Sequence, residues 1–448
     1  MKKVFQGLLF LGLEFLAILS LIASIGAKTA VSNMKAAPLA ITPSPMVYLP
    51  EIFKPESTAT PTLVPELFFS VGLGYSDVIP HQIIRTNTDR LYIFGPSPYS
   101  TVINVYMADG LPTRPSDFAL VAQVSLPSVP LSLESVYDGA NIIHVLINTH
   151  AGEIRDIPFN ITTNQFYSSI TLASNGGTVS GDYLGTSGIT GMYDKNGALH
   201  ISYWTNANHI LHRAYIYDNV SNILTPIGGA TQVDSSGSAN HPASAVSPLD
   251  NSLTVAWVSQ ASNPAKILVR TLSSAGVWGN IETVSTASVW TSTSAGINID
   301  QGPSLIISAD GKKHLTYIEN YSGTTDYGHI HYVEGSTSGW IDQAINAYSH
   351  DPALAINSLG ELFIVGHGHP LNPTCQSTSD ICTIKRDASG VWGSPQLFAV
   401  HPASATFDSS PSVKWSVVGL NRPDLVEFVF FSTPYSTPTL YYGRFSTR

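Results

Sequence analysis

Charge is scarce in this chain. Only 12% of its 448 residues are Asp, Glu, Lys or Arg, against roughly 25% in an ordinary soluble domain. Positive charge is the scarcer sign: 21 Lys and Arg face 31 Asp and Glu, for a formal net charge of −10. No block of Lys or Arg follows residue 3. A nucleic-acid partner is therefore not expected, because neutralising phosphates needs a basic patch. Cysteine is nearly absent, with only Cys375 and Cys382. Their spacing matches no familiar zinc pattern. Polarity comes instead from Ser, Thr, Asn and Gly, which suits a surface of many turns and exposed strands.

Long apolar runs are also missing, with one exception. Met1-Lys2-Lys3 precedes a nearly unbroken apolar stretch from Leu8 to Ile25, followed by Gly26 and Ala27. This is the layout of a secretory signal. The competing reading is a retained anchor, for which the length is marginally sufficient, although Glu14 would sit in hydrocarbon. Residues 1–27 are thus expected to be a signal peptide or N-terminal anchor. Export places the two cysteines in an oxidising space, where a local Cys375–Cys382 disulfide is expected. Residues 28–65, punctuated by Pro43, Pro45, Pro50, Pro55, Pro61 and Pro65, read as a Pro/Thr/Ser-rich linker.

What is abundant from residue 66 onward is repetition. A pattern of short strand, Asp/Gly-type turn, second strand, loop, third strand and a turn into a fourth recurs about seven times. The clearest copy runs from Pro303 to Tyr317. First strands begin near Gln82, Leu131, Ile189, Ala243, Ser304, Ala353 and Ser412. The first-to-second turns carry Asp138-Gly139, Asn196-Gly197, Asp250-Asn251 and Asp310-Gly311, residues that reach positive φ cheaply. Four strands per repeat at this period predict an all-β fold, a seven-bladed β-propeller of four-stranded antiparallel blades over 66–448, with six blades as the alternative. The last copy stops after its third strand. Leu67 to Val71 is the predicted donor of the missing fourth, which would close the ring and hide two sheet edges.

The turn into the fourth strand often ends in Gly and an aromatic residue: Ser273 to Trp278, Ser336 to Trp340 and Asp387 to Trp392. In sequence and position these turns resemble the Asp-box (BNR) repeats of sialidase-like propellers. That resemblance implies a propeller fold, usually of six blades. It also implies an active site of three arginines with a Tyr/Glu pair and an Asp. Here Arg85 stands inside a strand with no Ile-Pro after it, and no other two arginines complete a triad by position. The resemblance therefore extends to the scaffold, and an intact sialidase site is not expected.

His144, His200 and His314 occupy one position in the second strands of three blades. They are expected to pack between blades, each imidazole satisfying a neighbouring backbone group, rather than to bind metal. His329 and His331 share a strand face, and His367 and His369 share a loop. Neither pair has a third ligand at a motif spacing, so no metal or cofactor is expected.

Propeller function usually resides where loops from every blade converge. The loops after second and fourth strands open at one end, and they nominate Asp77, His150, Asn206, His209, His241, Asp300, Glu319, Tyr321, His350, Asp351, His367, His369, Asp408 and Tyr435 as a ligand-binding face. Asp300 and Glu319 are the candidate catalytic carboxylates if the chain hydrolyses glycosides. The leading expectation is a secreted or cell-surface module that recognises a glycan or a protein, touching membrane only through an uncleaved leader. The alternatives are a diverged sialidase-like hydrolase and a structural envelope component.

Overall fold

In the computed structural model the described residues are 65–74, 81–96, 100–178, 188–289, 302–320, 327–336, 339–348, 352–357, 359–368, 374–375, 381–387, 389–399, 414–419, 422–432 and 439–447. All belong to the compact unit Pro61–Arg448. The leader and almost all of the linker lie outside the described residues.

The described strands form seven antiparallel sheets, each with a four-strand path in the order first, second, third, fourth. Sheet one runs Gln82–Arg85, Arg90–Pro96, Val102–Asp109 and Ala119–Ser125. Sheet two begins at Pro130–Tyr137 and carries a short extra pairing at Gln165–Phe166. Sheets three to six begin at Ile189–Tyr193, Ala239–Val246, Ser304–Ile307 and Ala353–Ile356. The last sheet takes Lys414–Gly419, Arg422–Ser432 and Thr439–Ser446 from the C-terminus. Its outermost strand is Pro65–Gly74 from the other end of the chain. Phe68 lies opposite Gly443 and Phe69 opposite Tyr442. The two ends of the unit are therefore joined by backbone hydrogen bonds, and the edge of Thr439–Ser446 is covered.

The core lies between the sheets. One apolar cluster joins sheets one and two through Tyr92, Phe94, Leu133 and Phe159. Equivalent clusters join each following pair. Ile83, Leu91, Val429 and Tyr442 join the last sheet back to the first. First strands pack on first strands around the same circuit. This is an all-β propeller whose sheets are four-stranded blades.

That arrangement explains the sequence pattern within a blade. A second strand has a neighbouring blade on both faces, so Ile142–Thr149 and Leu253–Ser259 are buried along their whole length. A fourth strand lies at the periphery, so Ile223–Gln232 is exposed at every residue but Leu224. The tight turns form where the sequence places small or amide residues: Gly139, Gly197, Asn251 and Gly311 all have positive φ.

The histidine position in the second strands leads to the next blade in two of three cases, through side chains rather than the expected backbone groups, while His200 meets Asp194 and His212 of its own blade. His144 Nδ1 lies 2.8 Å from Asp156 Oδ2, and its Nε2 lies 2.8 Å from the Tyr193 hydroxyl of the next blade. His314 Nδ1 lies 2.6 Å from the Tyr332 hydroxyl, which also receives Arg386 Nη1 of the next blade at 2.9 Å.

Candidate functional site

The two ends of each blade differ. First-to-second and third-to-fourth turns lie at one end, and the loops after second and fourth strands lie at the other. Two clefts among the described residues open at the turn end, between consecutive blades.

The larger cleft, of about 540 Å³, separates blades four and five. Its floor is set by register. Lys313, Gly335 and Trp340 lie side by side on the second, third and fourth strands of blade five. Gly335 has no side chain between its neighbours, and a Cβ there would come within 2.4 Å of the indole of Trp340. The glycine lets the indole lean across the third strand, and Lys313 Nζ sits 5.6 Å from the ring centre, a cation–π distance. Trp340 stays half-buried. Its Nε1 donates at 2.8 Å to Glu282 Oε2 of blade four, so one hydrogen bond spans the two blades.

The rest of the wall includes hydroxyls and carboxylates, among them Ser252, Thr271, Ser273, Asp250 and Asp310, together with Leu249 and Lys312. Lys313 Nζ donates to Thr271 Oγ1 at 2.8 Å, and desolvation lowers its pKa. Hydrogen bonds from neighbouring hydroxyls hold Asp250 and Asp310 below the usual carboxylate range, first from Ser247 and from Ser308 respectively.

The second cleft, of about 390 Å³, lies between blades three and four in the equivalent place. Trp278 again supplies the ring, edge-on to His212 with centroids 5.2 Å apart. His200 Nδ1 and His212 Nε2 are 3.0 Å apart. Burial, and then His200, push the His212 pKa down to about 3. Between blades five and six the corresponding place is filled. Arg386 spans it, donating to Glu334 Oε2 at 2.7 Å and packing 4.7 Å over the Tyr332 ring, while Trp392 is 9% exposed.

The three tryptophans come from the turns singled out in the sequence. In two of them the hydrogen bonding is the same. The Val277 N–H donates to Ser273 Oγ and the Val391 N–H to Asp387 Oδ1. Gly276 and Gly390 take positive φ, and Trp278 and Trp392 bridge back to Leu272 and Arg386. A serine in one copy does the work of the aspartate in the other.

The residues nominated at the loop end are only partly described. Asp77, Asp300, Tyr321, His350, Asp351, His369, Asp408 and Tyr435 lie outside the described residues. His367 ends a described strand, but its side chain lies outside the description. His150 follows the second strand of blade two. Asn206 and His209 flank the loop of blade three, where His209 Nδ1 lies 3.0 Å from Asp234 Oδ2. Asp234 also accepts the backbone N–H groups of Ile210, Ser236 and Gly237, so this group organises a turn. His241 takes φ 51° at an irregularity in the first strand of blade four. Glu319 belongs to blade five, where its Oε2 lies 3.3 Å from His329 Nδ1 and 3.6 Å from His331 Nε2. His331 is held from behind by Asp342 at 2.7 Å. These described residues come from blades two to five, Asn206 and His209 from the same loop.

Eight arginines have described side chains, and none of them converges on a shared ligand position. Five pair with carboxylates: Arg85 with Glu427, Arg90 with Asp109, Arg114 with Asp117, Arg155 with Glu153 and Arg386 with Glu334. Arg213, Arg270 and Arg444 donate to backbone carbonyls. Cys375 and Cys382 are joined by a disulfide.

Sequence reasoning missed the turn-end clefts. Trp340 and Lys313 lie 27 positions apart, and only strand register across Gly335 brings them together. The signal that could have found them was the Gly-aromatic turn itself, whose ring must pack against something.

No family model matches the chain, and no curated protein matches it significantly. Solved structures share the fold. The BP39L lectin of Burkholderia pseudomallei superposes with a TM-score of 0.60 at 9% identity, over 83% of this chain and 96% of that one. The AofleA protein of Arthrobotrys oligospora gives a TM-score of 0.45 at 12% identity, over 75% and 90%. A fucose-recognising lectin of Aleuria aurantia, described as a six-bladed β-propeller, gives 0.38 at 13% identity, over 60% and 78%. The first of these likenesses agrees with the all-β propeller fold described above.

Proposed function

We propose that this chain is an exported, seven-bladed propeller that recognises glycans, binding sugar in the cleft between blades four and five. The observation that carries this reading is the half-buried Trp340 indole, held over Gly335 and fixed to Glu282, beside Lys313 and a wall of hydroxyls. A sugar ring presents an apolar C–H face and a rim of hydroxyls. An indole supplies the matching apolar surface. Carboxylates accept from sugar hydroxyls while the ammonium and side-chain hydroxyls donate to them. The cleft volume of about 540 Å³ lies within the range of small-molecule sites. The smaller cleft at Trp278 likewise sets an indole of one blade against the preceding blade, with the His200 and His212 imidazoles where the larger cleft has threonines, and it is the candidate for a second subsite.

The likeness of the fold to the BP39L lectin is consistent with this reading. The sialidase-like alternative draws no comparable support, since the described arginines are engaged singly in links within and between blades. Binding of the purified chain to an oligosaccharide array tests the proposal. Array binding that falls at least about tenfold in Trp340→Ala, with an unchanged melting curve, is the expected result. Sugar binding that Trp340→Ala leaves intact would move the site elsewhere. Export is tested separately, by the position of the mature N-terminus in cells producing the full chain.

A further inference from the structure

We infer that the cleft between blades four and five selects sugars bearing an anionic substituent, a carboxylate or a sulfate, held by the Lys313 ammonium beside the Trp340 ring. The inference rests on the glycan reading of the same cleft and adds the chemical class of the ligand.

The argument starts from which charges in the cleft are already engaged. Glu282 Oε2 accepts from Trp340 Nε1. Asp310 Oδ1 accepts from Ser308 Oγ at 2.5 Å and from the Lys312 N–H. Asp250 Oδ1 accepts the backbone N–H and the hydroxyl of Ser252. Lys312 Nζ is 3.7 Å from Asp310 Oδ2 and 3.9 Å from Glu334 Oε1. Lys313 differs from all of these. It is half-buried, and no carboxylate among the described residues forms an ion pair with it. Its hydrogen-bond partner is the neutral Thr271 hydroxyl.

An ammonium has three donors, and Thr271 takes one. Two remain beside an aromatic face in a partly desolvated cleft. Burial lowers the pKa of this lysine, and the Glu282 and Asp250 carboxylates offset that only in part, because the charge has lost water without gaining a partner at ion-pair distance. A ligand anion restores that balance and gains the stronger, charge-assisted hydrogen bonds. A neutral sugar meets only the ordinary ones. The register that sets Lys313 beside Gly335 and Trp340 places such an anion next to the ring on which its sugar stacks.

The test uses the intact chain against three immobilised probes: a glucuronate-containing oligosaccharide, a sulfated oligosaccharide and a neutral hexose oligomer. At least one anionic probe is expected to bind ten times or more tightly than the neutral one. That preference should shrink when ionic strength rises from about 50 mM to about 500 mM. Lys313→Met should remove the preference by weakening the acidic probes far more than the neutral one, Lys313→Arg should restore part of it, and Lys385→Met, which alters a lysine of blade six, should leave it unchanged. Free sulfate should compete on the unaltered chain, which gives a readout that needs no variant. Equal affinity for acidic and neutral probes, or a preference that survives in Lys313→Met, overturns the inference while leaving the glycan reading intact. Absence of binding to all three probes and across the sugar array overturns both. Comparing the carboxylate and sulfate arms identifies the group recognised.

Discussion

Arg85 and Glu427 are 342 residues apart in sequence, yet Arg85 Nε and Nη2 donate to the two carboxylate oxygens of Glu427 at 2.5 Å each. Both side chains are fully buried. Tyr442 donates its hydroxyl to the same carboxylate, and Arg85 Nη1 also reaches the Gly110 carbonyl and Asp89. The pair joins blade one to the last blade, where the circuit of sheets closes. Glu427 stands where other blades carry the second-strand histidine.

Breaking this pair should weaken the closure severely. Removing one partner leaves a buried, unpaired charge, which typically costs about 3–5 kcal/mol. Arg85→Met and Glu427→Leu should each lower the chemical denaturation midpoint sharply. The double variant should cost less than the sum of the two, since no charge is then stranded. Additive losses would show that the pair does not act as a unit.

The strand Pro65–Gly74 should be required for a monodisperse product. Deleting residues 65–74 uncovers the edge of Thr439–Ser446, and an open edge pairs with other chains. Size-exclusion chromatography should show oligomers or aggregate. A well-behaved monomer with an unchanged melting point would mean that the closure is dispensable.

Acid should destabilise the propeller before its carboxylates titrate. His212 and His314 are depressed to about 3 and about 4, in each case chiefly by burial. The unfolded chain therefore binds their protons first, below about 6.5. Their stabilising effect is complete above that pH. It is lost as pH falls toward the folded values, on the order of 1 kcal/mol per pH unit for each histidine. Asp342 acts at lower pH. Burial works to raise its pKa, but hydrogen bonds from His331, Thr286 and Tyr317 hold it at about 2. Melting temperatures between pH 7 and pH 4.5 should fall, and His314→Gln should flatten the slope. A flat profile across that window would contradict this account.

Reducing the Cys375–Cys382 disulfide should have a modest effect. The sequence separation of the two cysteines is only 7, and closing so short a loop stabilises by about 2 kcal/mol in the chain-entropy model. Thiol reductant should lower the melting midpoint by a few degrees without unfolding the chain at room temperature. Complete loss of structure would give the disulfide a larger role than its loop length implies.

The sequence by itself determined whatever depends on neighbours in the chain. Asp138-Gly139 and Asp310-Gly311 make tight turns because their backbones reach the required φ locally. Ile142–Thr149 reads as a continuous apolar strand because both of its faces will be covered. Leu67 to Val71 could be recognised as a displaced strand because the final repeat lacks one. The tertiary structure decided which distant groups meet. Arg85 finds Glu427 only when the circuit closes, and Trp340 reaches Glu282 only when blade five turns one particular face toward blade four. Lys313 comes beside Trp340 through a register across three strands that no local pattern encodes. Side-chain periodicity tells which face of a strand is covered. It carries no information about which blade covers it, so the cleft at the turn end emerged only once the sheets were packed.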